Sequence, residues 1–226
     1  MTIAGYNKNS FVDYPGKIAA VVFMQGCNFN CGYCHNQELI GEVPQQTVDE
    51  KEVLDFLISR REFIDGAVLS GGEPTLVEGL AGFAAKIKNM GFLVKLDTNG
   101  TRPQVITELL NRGLLDFIAM DIKAPFEKYS AVTCTDNNLI TEIKKSIEII
   151  KTSGIDYEFR TTFIPKLTTA DILEICRYLA PCRSFVLQQY RPAPEQSGIP
   201  PHPPEYILRA AGQARAIIGE VGVRGV

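Results

Sequence analysis

Short runs rich in Val, Ile and Phe alternate along this chain with segments whose apolar residues return every third or fourth position. The runs fall around residues 19–25, 66–70, 93–97, 116–121, 157–163 and 185–190. Each is followed by a helical pattern, over 48–61, 76–90, 103–112, 139–153, 170–179 and 204–219. Repeated βα units of this kind predict an α/β fold with a parallel sheet. In the fourth helix Ile140, Ile143, Ile147 and Ile150 form one apolar stripe, as packing on a core requires. Helix starts carry their own signals. Thr47-Val48-Asp49-Glu50 and Thr75-Leu76-Val77-Glu78 both fit a capping box, and Pro103 suits a first turn behind Thr101 as cap. Gly91, Gly113 and Gly154 stand just past helices, where a left-handed cap is favoured. The proline-rich stretch 192–204 reads as a stiff surface connector. Six strands are fewer than the eight of a closed barrel, so the pattern predicts a partial, open (β/α)6 barrel with a lateral mouth. Chemistry in such folds gathers at the carboxyl ends of the strands.

Composition narrows the classes. A chain of 226 residues with 45% hydrophobic content suits one domain over 1–226. A net charge of -3 gives no footprint for nucleic acid or an anionic membrane. The first residues lack a basic, apolar secretory pattern, and the longest apolar run, 18–24, is far too short to span a bilayer. A cytoplasmic protein is expected. Three of the six cysteines fall within eight positions, which points to a metal site in a reducing compartment rather than a disulfide framework.

That cluster is Gly26-Cys27-Asn28-Phe29-Asn30-Cys31-Gly32-Tyr33-Cys34-His35-Asn36. Its C-x3-C-x2-C spacing brings three thiols to one short loop. Thiolates are the usual ligands of iron–sulfur clusters, and a cubane normally takes four. Three cysteines leave one iron open, much as catalytic zinc keeps a coordination position free. A structural zinc site of Cys27, Cys31, Cys34 and His35 is the plainer alternative, although adjacent Cys34 and His35 reach one tetrahedral ion with difficulty. An electron carrier would want a fourth cysteine, and Cys134, Cys176 and Cys182 lack ferredoxin spacing. These three read as inert small side chains. His35 reads as a cap on backbone groups, with a hydrogen bond to a cluster sulfide as the alternative. His202, between prolines, reads as a surface residue.

The other strand ends carry further candidates. Ser70-Gly71-Gly72-Glu73-Pro74 offers two glycines that admit close backbone approach and a carboxylate that can oppose an amine; a tight strand-to-helix turn would use the same residues. Asp97-Thr98-Asn99-Gly100 fits an Asx-type turn, and Asp121-Ile122-Lys123 a solvated ion pair. Jointly they would set two carboxylates and a lysine at one rim. Arg160, among apolar neighbours, needs an anion, either a ligand carboxylate or a structural partner such as Glu158 or Asp156. Gln189 ends the sixth strand.

The cysteine motif with Tyr33 as its aromatic resembles the hallmark of the radical S-adenosylmethionine (SAM) superfamily. The resemblance implies a 4Fe-4S cluster on Cys27, Cys31 and Cys34. In that family SAM chelates the open iron and is cleaved reductively to a 5′-deoxyadenosyl radical. The segment Gly71-Gly72-Glu73 resembles the family's GGE motif, which receives the methionine amino group. DTNG and D-x-K resemble the glycyl-radical-enzyme activating branch. By that likeness Asp97, Thr98 and Asp121 would help hold a monovalent cation, Lys123 would meet the cofactor carboxylate, and Tyr33, Arg160 and Gln189 would be further SAM contacts. The histidine that the pyruvate formate-lyase activator uses near Gln189 is absent. Together with the cysteine loop, Asn9-Ser10-Phe11-Val12-Asp13-Tyr14-Pro15-Gly16 is similar to activating proteins of anaerobic ribonucleoside-triphosphate reductase, which implies a glycyl radical enzyme as partner and a flavodoxin- or ferredoxin-type electron donor. The alternatives are an activator of another glycyl radical enzyme such as pyruvate formate-lyase, a small-molecule radical SAM enzyme, and a zinc or electron-transfer protein.

Overall fold

All six apolar runs are strands, and two further strands flank them. The computed structural model describes residues 1–192 and 200–226. Its strands are β1 (Ile3–Ser10), β2 (Ala19–Met24), β3 (Gly66–Gly71), β4 (Leu93–Thr98), β5 (Phe117–Asp121), β6 (Asp156–Phe163), β7 (Phe185–Gln189) and β8 (Val221–Arg224). They hydrogen-bond in chain order from β1 to β8. β1 runs antiparallel to β2, whereas the β2–β3, β3–β4, β6–β7 and β7–β8 pairs are parallel. Between them come α1 (Glu50–Ser59), α2 (Leu80–Asn89), α3 (Pro103–Asn111), α4 (Tyr129–Thr133), α5 (Ile140–Lys151), α6 (Thr169–Leu179) and α7 (Pro204–Ile218). The mostly parallel, open α/β sheet is the one the alternation predicts. Parallel strands are covered on both faces, which explains why Ala19, Ala20, Val21 and Val22 are all buried.

Contacts gather the chain into two compact units. One comprises Met1–Asn28, Asn36–Ala119 and Glu142–Asp156; the other comprises Phe29–His35, Met120–Thr141 and Tyr157–Val226. In the first, the loop after β1 turns on a Ser10–Asp13 side-chain bond and buries Tyr14 among Ala19, Val21 and Val68, with Phe23, Leu93 and Phe117 packed against them.

Several helix ends differ from the sequence expectation. α1 is capped by Asp49, whose carboxylate accepts from the Lys51 amide at 2.7 Å, and not by Thr47. α2 begins at Leu80, after a short 3-10 turn over Pro74–Leu76 whose cap is Glu73. The Thr75 box does not form because Thr75 donates backward to Glu73. Thr101 likewise turns to Asn99, and Arg102 begins α3 without a side-chain cap. Gly91, Gly113 and Gly154 do follow helices with positive φ. Of the connector 192–204, residues 193–199 lie outside the described residues. His202 is half-buried, correcting the surface reading: its ring packs on Phe163 and Tyr206 at 4.5 and 4.7 Å. Among the described residues no helix is long and apolar enough to cross a membrane.

β8 adds a charge to the second unit. Arg224 forms a two-pronged pair with Glu158 of β6 at 2.7 and 2.6 Å. Glu158 is thereby taken, and it is not the partner of Arg160. With the Glu158 side chain 4% exposed and Arg224 36%, Arg224→Met is expected to lower the unfolding free energy by about 2 kcal/mol, since it strands a buried carboxylate. Arg224→Met with Glu158→Met should recover most of that loss in a urea titration; no recovery would mean that β8 is held by packing instead.

Candidate active site

In the first unit, the segments after β2, β3 and β4 are interlocked through backbone and buried polar groups. A Cβ on Gly72 would stand 2.2 Å from the Gly26 carbonyl oxygen, and one on Gly71 2.3 Å from the Met24 amide nitrogen. Gly71 also sits at φ +118, where side chains are rarely tolerated. These glycines thus admit the backbone of the cysteine loop, a closer approach than the sequence alone assigned to a ligand. The Gly72 amide donates to Met24 at 2.9 Å and the Glu73 amide to Gly26 at 2.8 Å. Across the loop, the amides of Gly26 and Cys27 donate to the carbonyls of Leu39 and Ile40.

Glu73 is 1% exposed. Its Oε1 accepts from the Thr75 amide and hydroxyl and from Thr98 Oγ1, and its Oε2 from the Asn99 amide. Burial pushes its pKa up, against the pull of those hydrogen bonds. The carboxylate is a brace between the GGE and DTNG segments. Asn28, one residue past Cys27, joins the same network: it donates to Thr101 Oγ1 at 2.9 Å and accepts from Asn99 Nδ2 at 2.9 Å. Ser146 of α5 closes the turn from behind by donating to the Gly100 carbonyl at 2.6 Å. Asp97 is paired with Lys95, which is fully buried, and accepts from Ser70 Oγ at 3.4 Å. Lys95, Ser70, Asn28 and Asn99 are the participants that the sequence reading missed; for Lys95 the available signal was its place two residues before Asp97, on the same face of a strand.

In the second unit lie Cys31, Tyr33 and Cys34, with Asp121, Lys123, Arg160 and Gln189. Asp121 accepts from Lys123 Nζ at 2.9 Å and from Arg160 Nε at 2.8 Å. Arg160 therefore finds an anion in Asp121 rather than in Glu158. Burial alone would raise the Asp121 pKa, but the guanidinium and ammonium outweigh it and hold the carboxyl well below its ordinary range. The same pairing lifts Lys123 above its ordinary value against the effect of burial. Burial pushes the Cys31 thiol up while Lys123 pulls it down. The Asn30 amide donates to the Thr133 carbonyl at 2.9 Å, and Phe29 meets the ring of Tyr129 edge-on, so α4 supports the loop. His35 hydrogen-bonds the Arg191 carbonyl, in keeping with the backbone-capping reading.

Two buried side-chain atoms among the described residues have no partner, Tyr33 Oη and Gln189 Oε1. Both belong to residues that the sequence marked as cofactor contacts. The Gln189 amide nitrogen donates to the His202 carbonyl at 3.0 Å, which fixes the side chain with its oxygen available as an acceptor. Cys27, Cys31 and Cys34 form no disulfide, and neither do Cys134, Cys176 and Cys182. Among the described residues no three His, Cys, Asp or Glu side chains are gathered as a ready-made metal site. The donor set nevertheless fits an iron–sulfur cluster: three unbridged thiols on one loop, one of them beside an ammonium that favours the thiolate.

The Glu73 brace is open to test. Glu73→Gln keeps the shape, but with its oxygen at the Oε1 position it turns an NH2 toward the Asn99 amide, which only donates, so unfolding stability should fall by about 2 kcal/mol. An unchanged denaturation midpoint would remove the carboxylate from that role.

A family model described as the Radical SAM superfamily matches residues 21–179. A Methanocaldococcus jannaschii protein, named provisionally as a glycyl-radical enzyme activating enzyme, is 38% identical over 235 aligned positions that cover 99% of this chain and 96% of that one. The pyruvate formate-lyase-activating enzyme of Clostridium pasteurianum is 31% identical over 175 positions, 75% of this chain and 70% of its own. Among solved structures, a radical SAM methyltransferase from Sphaerobacter thermophilus shares the fold, with a TM-score of 0.73 at 19% identity over 96% of this chain and 68% of that one. The chain belongs to the radical SAM superfamily, a family of 4Fe-4S and SAM enzymes, and within it to the glycyl-radical-enzyme activating branch.

Proposed function

We propose that this protein, acting as one domain over residues 1–226, generates a glycyl radical on a partner enzyme, anaerobic ribonucleoside-triphosphate reductase. The observation that carries the SAM-dependent part of this reading is the pair of unpartnered buried atoms, Tyr33 Oη and Gln189 Oε1. A buried polar atom without a partner costs about 1–3 kcal/mol; Tyr33 is the aromatic of the cysteine motif, and Gln189 ends β7. Cys27, Cys31 and Cys34 would hold the cluster and leave one iron open. When bound, the cluster and SAM supply the electron and the radical precursor.

The residues of the chain have distinct tasks in this reading. Lys123 carries its charge on a carboxylate-anchored ammonium and meets the SAM carboxylate. Tyr33 and Gln189 offer a hydroxyl and an amide oxygen to the adenosine. Gly71 and Gly72 seat the cysteine loop, while Glu73 fixes the loop to the Asp97–Gly100 turn. Arg160 acts by holding Asp121 ionised rather than by touching the cofactor. A flavodoxin- or ferredoxin-type protein would deliver the electron.

The partner assignment draws on the Asn9–Gly16 opening. Much of that opening is structural here: Tyr14 is buried and Gly16 has φ +69. Phe11 and Val12, 73% and 74% exposed, are the residues left for recognition. The pyruvate formate-lyase activators among the relatives favour a second reading, in which that enzyme is the partner.

Reconstituted anaerobically and reduced, the protein should release methionine and 5′-deoxyadenosine and raise a glycyl signal by electron paramagnetic resonance when mixed with the reductase. A signal with pyruvate formate-lyase alone would transfer the assignment to the second reading, and one with neither would refute both. Cys27→Ala, Cys31→Ala and Cys34→Ala should each abolish cleavage, because each removes a cluster ligand. Normal cleavage by any of them would overturn the ligand set.

A further inference from the structure

The family resemblance raised the expectation of a monovalent cation on Asp97, Thr98 and Asp121. In the structure these groups are already engaged. Asp121 is held by Lys123 and Arg160. Thr98 Oγ1 donates to Glu73 at 2.7 Å and accepts from the Gly100 amide at 3.0 Å, leaving one lone pair. Asp97 is paired with Lys95. Alkali and alkaline-earth ions need several oxygen ligands with free lone pairs, and an ion at Asp97 would share the carboxylate with the Lys95 ammonium.

Lys95 is the least ordinary of these groups. Its side chain is 0% exposed, so it cannot lead its charge to water as lysines usually do. Its Nζ lies 5.7 Å from the centre of the Phe117 ring, which packs on the buried Tyr14 cluster. An ammonium in such surroundings keeps its charge only beside an anion. Asp97 is two residues away on the same strand face, and its side chain is 13% exposed; Oδ1 meets the ammonium and Oδ2 accepts from Ser70 Oγ at 3.4 Å.

We infer that Lys95 is the permanent counter-ion of Asp97 and does the work expected of an alkali cation, so that SAM binding at this strand end is independent of monovalent metal ions. This rests on the proposed reading that Asp97 lies at the SAM site. A tethered cation has no binding equilibrium of its own, and it holds Asp97 in one orientation whatever salt is present. Lys95 is thus a positioning residue that acts through Asp97.

The test measures SAM affinity calorimetrically on the anaerobically reconstituted protein, at constant ionic strength, in potassium and in tetramethylammonium chloride, whose cation is too large to replace an ammonium. The wild type and Lys95→Arg should bind equally well in both salts. Lys95→Met should lose about tenfold, equivalent to about 1.4 kcal/mol, in tetramethylammonium and regain most of it in potassium or ammonium. In the cluster-free protein, potassium should raise the melting temperature of Lys95→Met and leave the wild type unchanged, a readout separate from cofactor binding. A wild type that needs potassium to bind SAM overturns the inference, as does a Lys95→Met protein whose affinity matches the wild type in tetramethylammonium. Should Lys95→Met not fold, the wild-type and Lys95→Arg arms still decide it. No SAM binding by the wild type in either salt overturns the cofactor reading itself, and this inference with it.

Discussion

The carbonyl of Gly26 occupies the place where a side chain on Gly72 would begin. This single steric constraint ties the start of the cysteine loop to the end of β3, and the rest of the first unit is built to keep it. Glu73 follows at once, and its carboxylate takes four donors from two segments. Asn28 carries the same network into the cysteine loop through Asn99 and Thr101. In a low-dielectric interior a fully satisfied polar network is rigid, and a half-satisfied one is costly. The loop that must present thiols is therefore anchored at its first cysteine by groups with no chemistry of their own to perform.

Much of this was legible in the sequence because parallel strands buried on both faces leave continuous apolar runs, and helices leave a three-to-four repeat. The six central strands fell where those runs are. β1 and β8 escaped for opposite reasons. β1 contains Gly5, Asn7, Lys8 and Asn9, residues that fit poorly on a pleated, half-buried surface. β8 is four residues long and contains Gly222, too short to show a period. The capping boxes at Thr47 and Thr75 failed where a nearer carboxylate, Asp49 or Glu73, satisfied the helix start or the threonine itself. Capping is a competition among neighbours, and a four-residue pattern does not show the competitor. The motifs told which residues gather at the strand ends but not which of them the protein keeps for itself. A glutamate in GGE reads as a ligand for an amine until its four internal donors are seen.

That division between committed and available groups is the most informative feature of the site. Asp97 has Lys95, Asp121 has Lys123 and Arg160, and Glu158 has Arg224. Each of these three carboxylates faces a protein cation, so its charge is placed before any ligand arrives. Preorganised charge of this kind avoids reorganisation when a ligand binds. It also means that a ligand amine or a metal ion at any of these carboxylates would share it with a protein cation. In the proposed reading, recognition in the second unit falls to groups that have no internal partner among the described residues. Tyr33 Oη and Gln189 Oε1 are such groups. One offers a hydroxyl, both donor and acceptor; the other offers an acceptor fixed by its own amide nitrogen on His202. A ligand that carries both donors and acceptors on a flat, largely apolar body would satisfy them together, and a nucleoside is such a ligand, which is the chemical reason the proposed reading sets the adenosine of SAM, and not a simple metal ion, against these two groups.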